Sequence, residues 1–127
     1  MSLATDVRDD LVTALEAALT VPVQSPAPPV PLPPMVAVTA GTPWQSPQVV
    51  GGVLRCEYRM RLMCAVRDDA SALPQLEQLV EDACRALPEG WSVDTVTAPA
   101  SLDTGAQGSV LVAEVLLTGS FQEDPTP

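Results

Sequence analysis

The side chains that could take part in chemistry include adjacent pairs of carboxylates near predicted helices and three cysteines. The carboxylate pairs lie at Asp9–Asp10, Asp68–Asp69 and Glu81–Asp82. Two neighbouring carboxylates can divide general acid and base work between them, so a small carboxylate-dependent enzyme is one hypothesis. Each pair falls at the end or on the polar side of a predicted helix, where charge ordinarily serves solvation. The chain contains no histidine, which excludes a Ser-His-Asp triad.

The three cysteines are expected to be structural. Cys56 and Cys64 share one face of a predicted strand, about 27 Å apart at about 3.4 Å per residue. A disulfide needs Cα atoms within about 7 Å, and a shared metal ion requires similar closeness. Cys84 lies on a predicted helix. We therefore predict free thiols, no metal, no cofactor and no catalytic residue, and the glycine-rich motifs that bind nucleotides are also absent.

Charge and composition limit the partners that the chain can bind. Its 127 residues carry a net charge of −10 and are 46% hydrophobic but only 3% aromatic, which predicts one domain with an aliphatic core. A chain of this charge repels the phosphates of nucleic acid and of anionic membrane surfaces. A secretory signal begins with positively charged residues, whereas the first residues of this chain include Asp6, Asp9 and Asp10. We expect a soluble protein that is intracellular when synthesised.

The segment GGVLRCEYRMRLMCAV, residues 51–66, has the alternation of a long strand with one face toward a core. Cys56, Tyr58 and Met60 lie on the apolar face. The opposite face carries Arg55, Glu57, Arg59 and Arg61, and so holds half of the six positive residues in the chain. Such a strand is longer than one small core requires.

The remaining periodicities predict an α+β domain over 1–121. Two helices pack on one face of a mostly antiparallel or mixed four-stranded sheet, in the order helix-strand-strand-helix-strand-strand. The predicted elements are a helix over 3–20, a proline-rich strap over 21–34, a strand over 35–39, a loop over 40–52, a helix over 68–87, strands over 91–98 and 109–121, a loop over 99–108, and a flexible tail over 122–127.

The window from residue 17 to residue 54 contains no charged side chain. Exposed segments normally carry charge, whereas the cores of interfaces are depleted of it. Nine prolines interrupt the window, so it is unsuited to crossing a membrane as a helix. The window is either an interface with a neighbouring chain or a neutral strap exposed to water.

The order and lengths of these elements resemble a known family. A helix, VRDDLVTALEAAL, leads through a proline-rich connector to a short strand, PPMVAVTAG. The long strand GVLRCEYRMRLMCAV then runs into a second helix, DDASALPQLEQLVEDACRAL, and two strands close the domain. This layout resembles the tail terminator proteins of long-tailed bacteriophages over nearly the whole chain.

The resemblance implies a virion protein of the tail and neck that assembles in the host cytoplasm. In that family a homo-hexameric ring caps the head-proximal end of the tail tube and stops its polymerisation. The partners are the major tail tube protein and the head-tail connector protein, and DNA passes through the ring without specific binding. The alternatives are another ring-forming neck protein, such as a head-completion or connector subunit, or a tail-tube subunit.

In such a ring, the charged face of the long strand would become a subunit interface. The candidate interface residues are Arg55, Glu57, Arg59, Arg61, Trp44 and Glu114. Glu114, on the last strand, is expected to form a cross-strand pair with one of the arginines. The other interpretation is a strand face that water solvates.

Overall fold

A computed structural model of the protein describes residues 2–25, 33–103, 105 and 108–123. In chain order these residues form helix α1 (Leu3–Ala18), strands β1 (Val23–Gln24), β2 (Met35–Val50) and β3 (Val53–Arg67), helix α2 (Ala72–Arg85), and strands β4 (Trp91–Val96), β5 (Ala100–Asp103) and β6 (Ser109–Gln122). Of the predicted strap and tail, residues 26–32 and 124–127 lie outside the described part of the chain.

Helix α1 begins at Leu3 as predicted, whereas α2 begins at Ala72 rather than at residue 68, and the Ser71 side chain forms no capping hydrogen bond. Ser2 Oγ accepts a hydrogen bond from the backbone N–H of Thr5 at 3.1 Å and so caps α1. The helix ends at Ala18 rather than at residue 20, because the next residue, Leu19, already has extended backbone angles. Ser71 precedes α2, and Pro74 falls in the first turn of that helix, where proline is tolerated.

The sheet has six strands, so the prediction of four strands is wrong. Its order is β1-β2-β3-β6-β4, with β5 also paired to β6, and the protein remains α+β. The two unpredicted strands are short. β1 is only two residues long and pairs in parallel with β2, whereas every residue of β5 is exposed. β1 is too short and β5 is too exposed to show an apolar periodicity that would predict a strand.

β2 and β3 form a long antiparallel hairpin with a two-residue turn at Gly51–Gly52. The φ angles of these glycines are 60° and 79°, a region that glycine occupies without steric cost. The predicted loop over 40–52 is therefore wrong, because β2 continues through it to Val50. Pro43 and Pro47 suggested a loop, but an edge strand accommodates proline.

The free edge of β2 runs along its second half, since β1 pairs only with Val36 and Ala37 among the described residues. The register between β2 and β3 shifts between Ala40 and Gln45. In a hairpin with a two-residue turn, the residues flanking the turn exchange hydrogen bonds, and so do alternate residues beyond them. The nitrogen of Pro47 therefore points away from β3, toward the free edge.

One face of the sheet packs against both helices and forms the main core. The buried residues on this face include six of β3 and three of β6, and they contact the apolar stripes of both helices. The β3 residues are Cys56, Tyr58, Met60, Leu62, Cys64 and Val66, and those of β6 are Ala113, Val115 and Leu117. The opposite face holds a second, smaller cluster around Met35, Ala37 and Ala65.

Candidate functional site

The charged side chains of β3 lie on the sheet face that the helices leave uncovered. We call this surface the open face, defined by Arg55, Glu57, Arg59 and Arg61 of β3 together with Glu114 of β6. Register places Arg61 opposite Leu116 and Met63 opposite Glu114, so Arg61 and Glu114 are diagonal neighbours on adjacent strands. Five of the six predicted interface residues are therefore on one surface.

The ion pairs within the open face are long. Arg61 Nη1 lies 3.6 Å from Glu114 Oε2, which is the cross-strand pair that the sequence predicted. Arg59 Nη2 lies 3.4 Å from Glu57 Oε1, and Arg55 Nη2 donates to Gln122 Oε1 at 3.0 Å. The paired side chains are partly exposed, and such pairs contribute only about 0–1 kcal/mol to folding. These ion pairs are too weak to explain, through folding stability, why three arginines lie on this face.

Two donors on the open face lack acceptors. The Nε atoms of Arg59 and Arg61 are shielded from solvent and have no hydrogen-bond partner within the described residues. A buried donor without an acceptor costs about 1–3 kcal/mol, and most buried donors in proteins are paired. No oxygen of another molecule can reach these shielded atoms as they stand, but the two side chains are 42% and 41% exposed, so the rest of each guanidinium is accessible to a partner.

The sixth predicted residue, Trp44, lies apart from the charged side chains. It falls in the irregular segment 41–44 of β2, which lies opposite Arg59 of β3. Its side chain is exposed, and so are Val49 and Val50 near the turn. We call residues 41–58 the distal hairpin, and in its β2 half no residue is buried from Gly41 to Val50.

The distal hairpin is held along its length by an aromatic cluster and by the end of β6. Phe121 lies between Tyr58 and Trp91, with ring-centroid distances of 6.2 and 5.2 Å. Leu54 N donates to Glu123 Oε1 at 2.9 Å, and Glu123 N donates to Leu54 O at 2.9 Å. These contacts support the β3 strand of the hairpin almost to its turn and leave the β2 strand as the free edge.

A groove lies on the other side of the molecule, between α2 and β4. It has a volume of about 440 Å³ and is open to solvent. Leu73, Val80, Val96 and Pro99 contribute apolar walls, and Glu77 and Glu81 also line it. The sequence carries no signal for this groove, because the groove depends on how a helix and a strand are placed side by side. Val49 and Val50 were not among the predicted site residues, although Gly-Gly between two apolar pairs is a hairpin signal.

The three cysteines are free thiols, with Cys56 and Cys64 buried and Cys84 half-buried. Burial, and secondarily the charge of Cys84, raises the pKa of Cys64 to about 12. Burial, followed by the charge of Glu81, also raises the pKa of Cys84. A thiol is nucleophilic only as the thiolate, so these two residues are unreactive near neutral pH.

Among the described residues, no group of three or more histidine, cysteine or carboxylate side chains is placed to hold a metal ion. None of the described helices has the length and hydropathy needed to cross a membrane. A comparison with models of protein families finds no match, and neither does a comparison with curated proteins.

Proposed function

We propose that this protein is a structural virion subunit, a bacteriophage tail terminator that acts as a homo-hexameric ring. The observation that supports this role best is the distal hairpin. Its β2 strand has no buried residue from Gly41 to Val50, and it exposes Trp44, Val49 and Val50. A hairpin of this kind suits contact with another protein chain rather than the binding of a small substrate.

The charge distribution supports an assembly role. The sixteen residues of β2 include no charged side chain, although the whole chain has a net charge of −10. Exposed strands normally carry charge, whereas the fully buried parts of interfaces are depleted of it. The uncharged window of the sequence thus includes an exposed strand, as expected if a neighbouring chain covers that strand.

The open face supports the same proposal. Arginine is enriched at interfaces because its planar guanidinium forms several hydrogen bonds at once. The side chains of Arg59 and Arg61 are 42% and 41% exposed, so their guanidinium groups can form charge-assisted hydrogen bonds when another subunit contacts this face. In the proposed ring, the remaining surfaces meet the major tail tube protein and the head-tail connector. The excess of acidic residues keeps DNA from adhering as it passes through.

A tail-tube subunit is the second candidate. The six-stranded sheet and the long hairpin favour it, because tube subunits are rich in sheet and the structure has two more strands than the sequence predicted. The two candidates differ in copy number and position. A tube subunit occurs along the whole tail, whereas a terminator occurs in one ring next to the head.

Immunogold labelling of virions with an antibody against this chain tests the proposal. We expect label at the head-proximal end of the tail, and label along the tail would favour the tube subunit. An amber mutation in the gene should give tails of uncontrolled length that do not join to heads. Normal virions that lack the protein would overturn both candidates.

A further inference from the structure

We infer that the tip of the distal hairpin binds the groove between α2 and β4 of a second copy of the chain. This inference rests on the proposed function, because it assigns the surfaces by which ring subunits meet. It starts from the distribution of exposed apolar side chains. The seven large ones among the described residues are Trp44, Val49, Val50, Leu73, Val93, Val96 and Leu102.

Six of these seven side chains form two groups at opposite ends of the strand order, and Leu102 on β5 belongs to neither group. Trp44, Val49 and Val50 lie on β2, whereas Val93 and Val96 lie on β4 and line or flank the groove. β3 and β6 separate the two strands in the sheet. Two different patches on distant surfaces associate head to tail, and contacts of that kind generate either rings or filaments.

The shapes of the two surfaces are compatible. The tip is narrow, because the two-residue turn joins strands that are only about 4.8 Å apart. Val50 is 68% exposed at the tip, and Leu73 is 50% exposed in the wall of the groove. The groove volume of about 440 Å³ leaves room for side chains of the tip. Contact would remove both apolar patches from water.

The charges of the two surfaces are complementary. Arg55 lines a depression together with Val50 and Val53, so its guanidinium lies on the same side of the tip as the Val50 side chain. Glu77 and Glu81 line the groove beside its apolar walls. When Val50 enters the groove, Arg55 meets an acidic rim. This pairing selects a second copy of the chain as the occupant.

Cysteine cross-linking tests the contact directly. One full-length variant carries Val50→Cys and another carries Leu73→Cys, and both also carry Cys84→Ala to remove the half-buried native thiol. The variants are mixed and treated with a short bismaleimide. Leu102→Cys is the matched control, because Leu102 is comparably exposed on β5 but does not line the groove. We expect the covalent dimer of the Val50→Cys and Leu73→Cys chains to exceed the control dimer about tenfold, whereas equal yields would overturn the inference.

Charge reversal provides the second measurement. In the cross-linking background, Arg55→Glu on the hairpin chain should lower the yield about tenfold, since a repulsive pair replaces an attractive one. Glu77→Arg on the groove chain should restore the yield when the two changes are combined. Restoration is specific to this pair and cannot come from a general loss of folding. A yield that stays low in the combination would contradict the pairing of Arg55 with Glu77.

The two proposals fail in different ways. Rings that form without the cross-link would contradict the hairpin contact and leave the terminator function intact. A cross-link in a protein that immunogold does not find at the head-proximal end would support the contact and contradict the function. If the Leu102→Cys control gives more covalent dimer than the Leu73→Cys variant, the chains associate through another surface and the inference is wrong.

Discussion

Replacing Arg59 or Arg61 with methionine should make the isolated chain more stable and its assembly weaker. Methionine keeps an unbranched stem of similar length but removes the guanidinium. Each arginine holds a buried Nε atom without an acceptor among the described residues. Removing such a donor recovers about 1–3 kcal/mol. The loss of one long, partly exposed ion pair costs about 0–1 kcal/mol.

The expected net change is a gain of about 1 kcal/mol in the free energy of unfolding for each variant. In a domain of this size that gain raises the melting temperature by about 4 °C. Urea unfolding of the purified chain measures the change as a shift of the midpoint at constant slope. Assembly should respond in the opposite direction, because a subunit interface would lose a charged donor.

Arg55→Met is the matched control. Its Nη2 atom already donates to Gln122 Oε1 at 3.0 Å, so removal breaks a hydrogen bond and recovers no unpaired donor. We expect no gain in stability from this variant. If Arg59→Met and Arg61→Met destabilise the chain as much as the control does, the Nε atoms are satisfied in the free subunit and the reasoning is wrong. Unchanged assembly in both variants would favour the solvated strand face.

Four further predictions concern assembly, DNA, alkaline stability and packing. Arg61→Glu should fold normally by circular dichroism yet give tails of uncontrolled length, and wild-type tail lengths would show that this side chain merely faces solvent. A gel-shift assay at physiological salt should detect no duplex DNA binding in the micromolar range, because a net charge of −10 repels phosphate. Folding raises the pKa of Cys64 from 9.0 to about 12, so the unfolded chain loses this proton at lower pH than the folded chain. The free energy of unfolding should therefore fall between pH 9 and pH 12 by about 1 kcal/mol per pH unit. Urea unfolding at several pH values should show a weaker dependence of this free energy on pH for Cys64→Ala, and an equal dependence would contradict the burial of Cys64. Gly119→Ala should lower the free energy of unfolding, measured in urea, by about 1–3 kcal/mol, because the new Cβ atom would lie 2.6 Å from Phe121 Cε2. The control Ser120→Ala should change this free energy little, and an equal loss in both variants would argue against close packing at Gly119.

The sequence predicted the elements that bury an apolar face. Val7, Leu11 and Leu15 recur at helical spacing and are buried in α1. The alternation of β3 correctly assigned Cys56 and Cys64 to the core and the arginines to the opposite face. Side chains alternate between the two faces of a strand, so the face of one residue determines the face of all the others. The alternation therefore also predicted the pair between an arginine and Glu114.

The elements without an apolar periodicity were not predictable in this way. Pro43, Pro47 and a register shift interrupt the pattern of β2, so its second half was interpreted as a loop. β5 is exposed throughout and pairs only through its backbone. The groove beside β4 depends on how α2 packs across the sheet, and local sequence carries no signal for that placement. The alternation therefore placed five of the six candidate residues on one sheet face, and their role in an interface stays a prediction, whereas the groove had no signal in the sequence.

The prolines of β2 also determine how this chain behaves at high concentration. A long, exposed and uncharged edge strand is ordinarily a template on which further strands add, and growth of that kind ends in insoluble aggregates. Pro47 removes one hydrogen-bond donor from the free edge, and the shift between Ala40 and Gln45 interrupts its regular spacing. The apolar side chains of β2 stay available for a specific neighbour, while the backbone resists adding a strand. The β2 edge is thus protected from the addition of further strands by its backbone geometry, although it carries no charge.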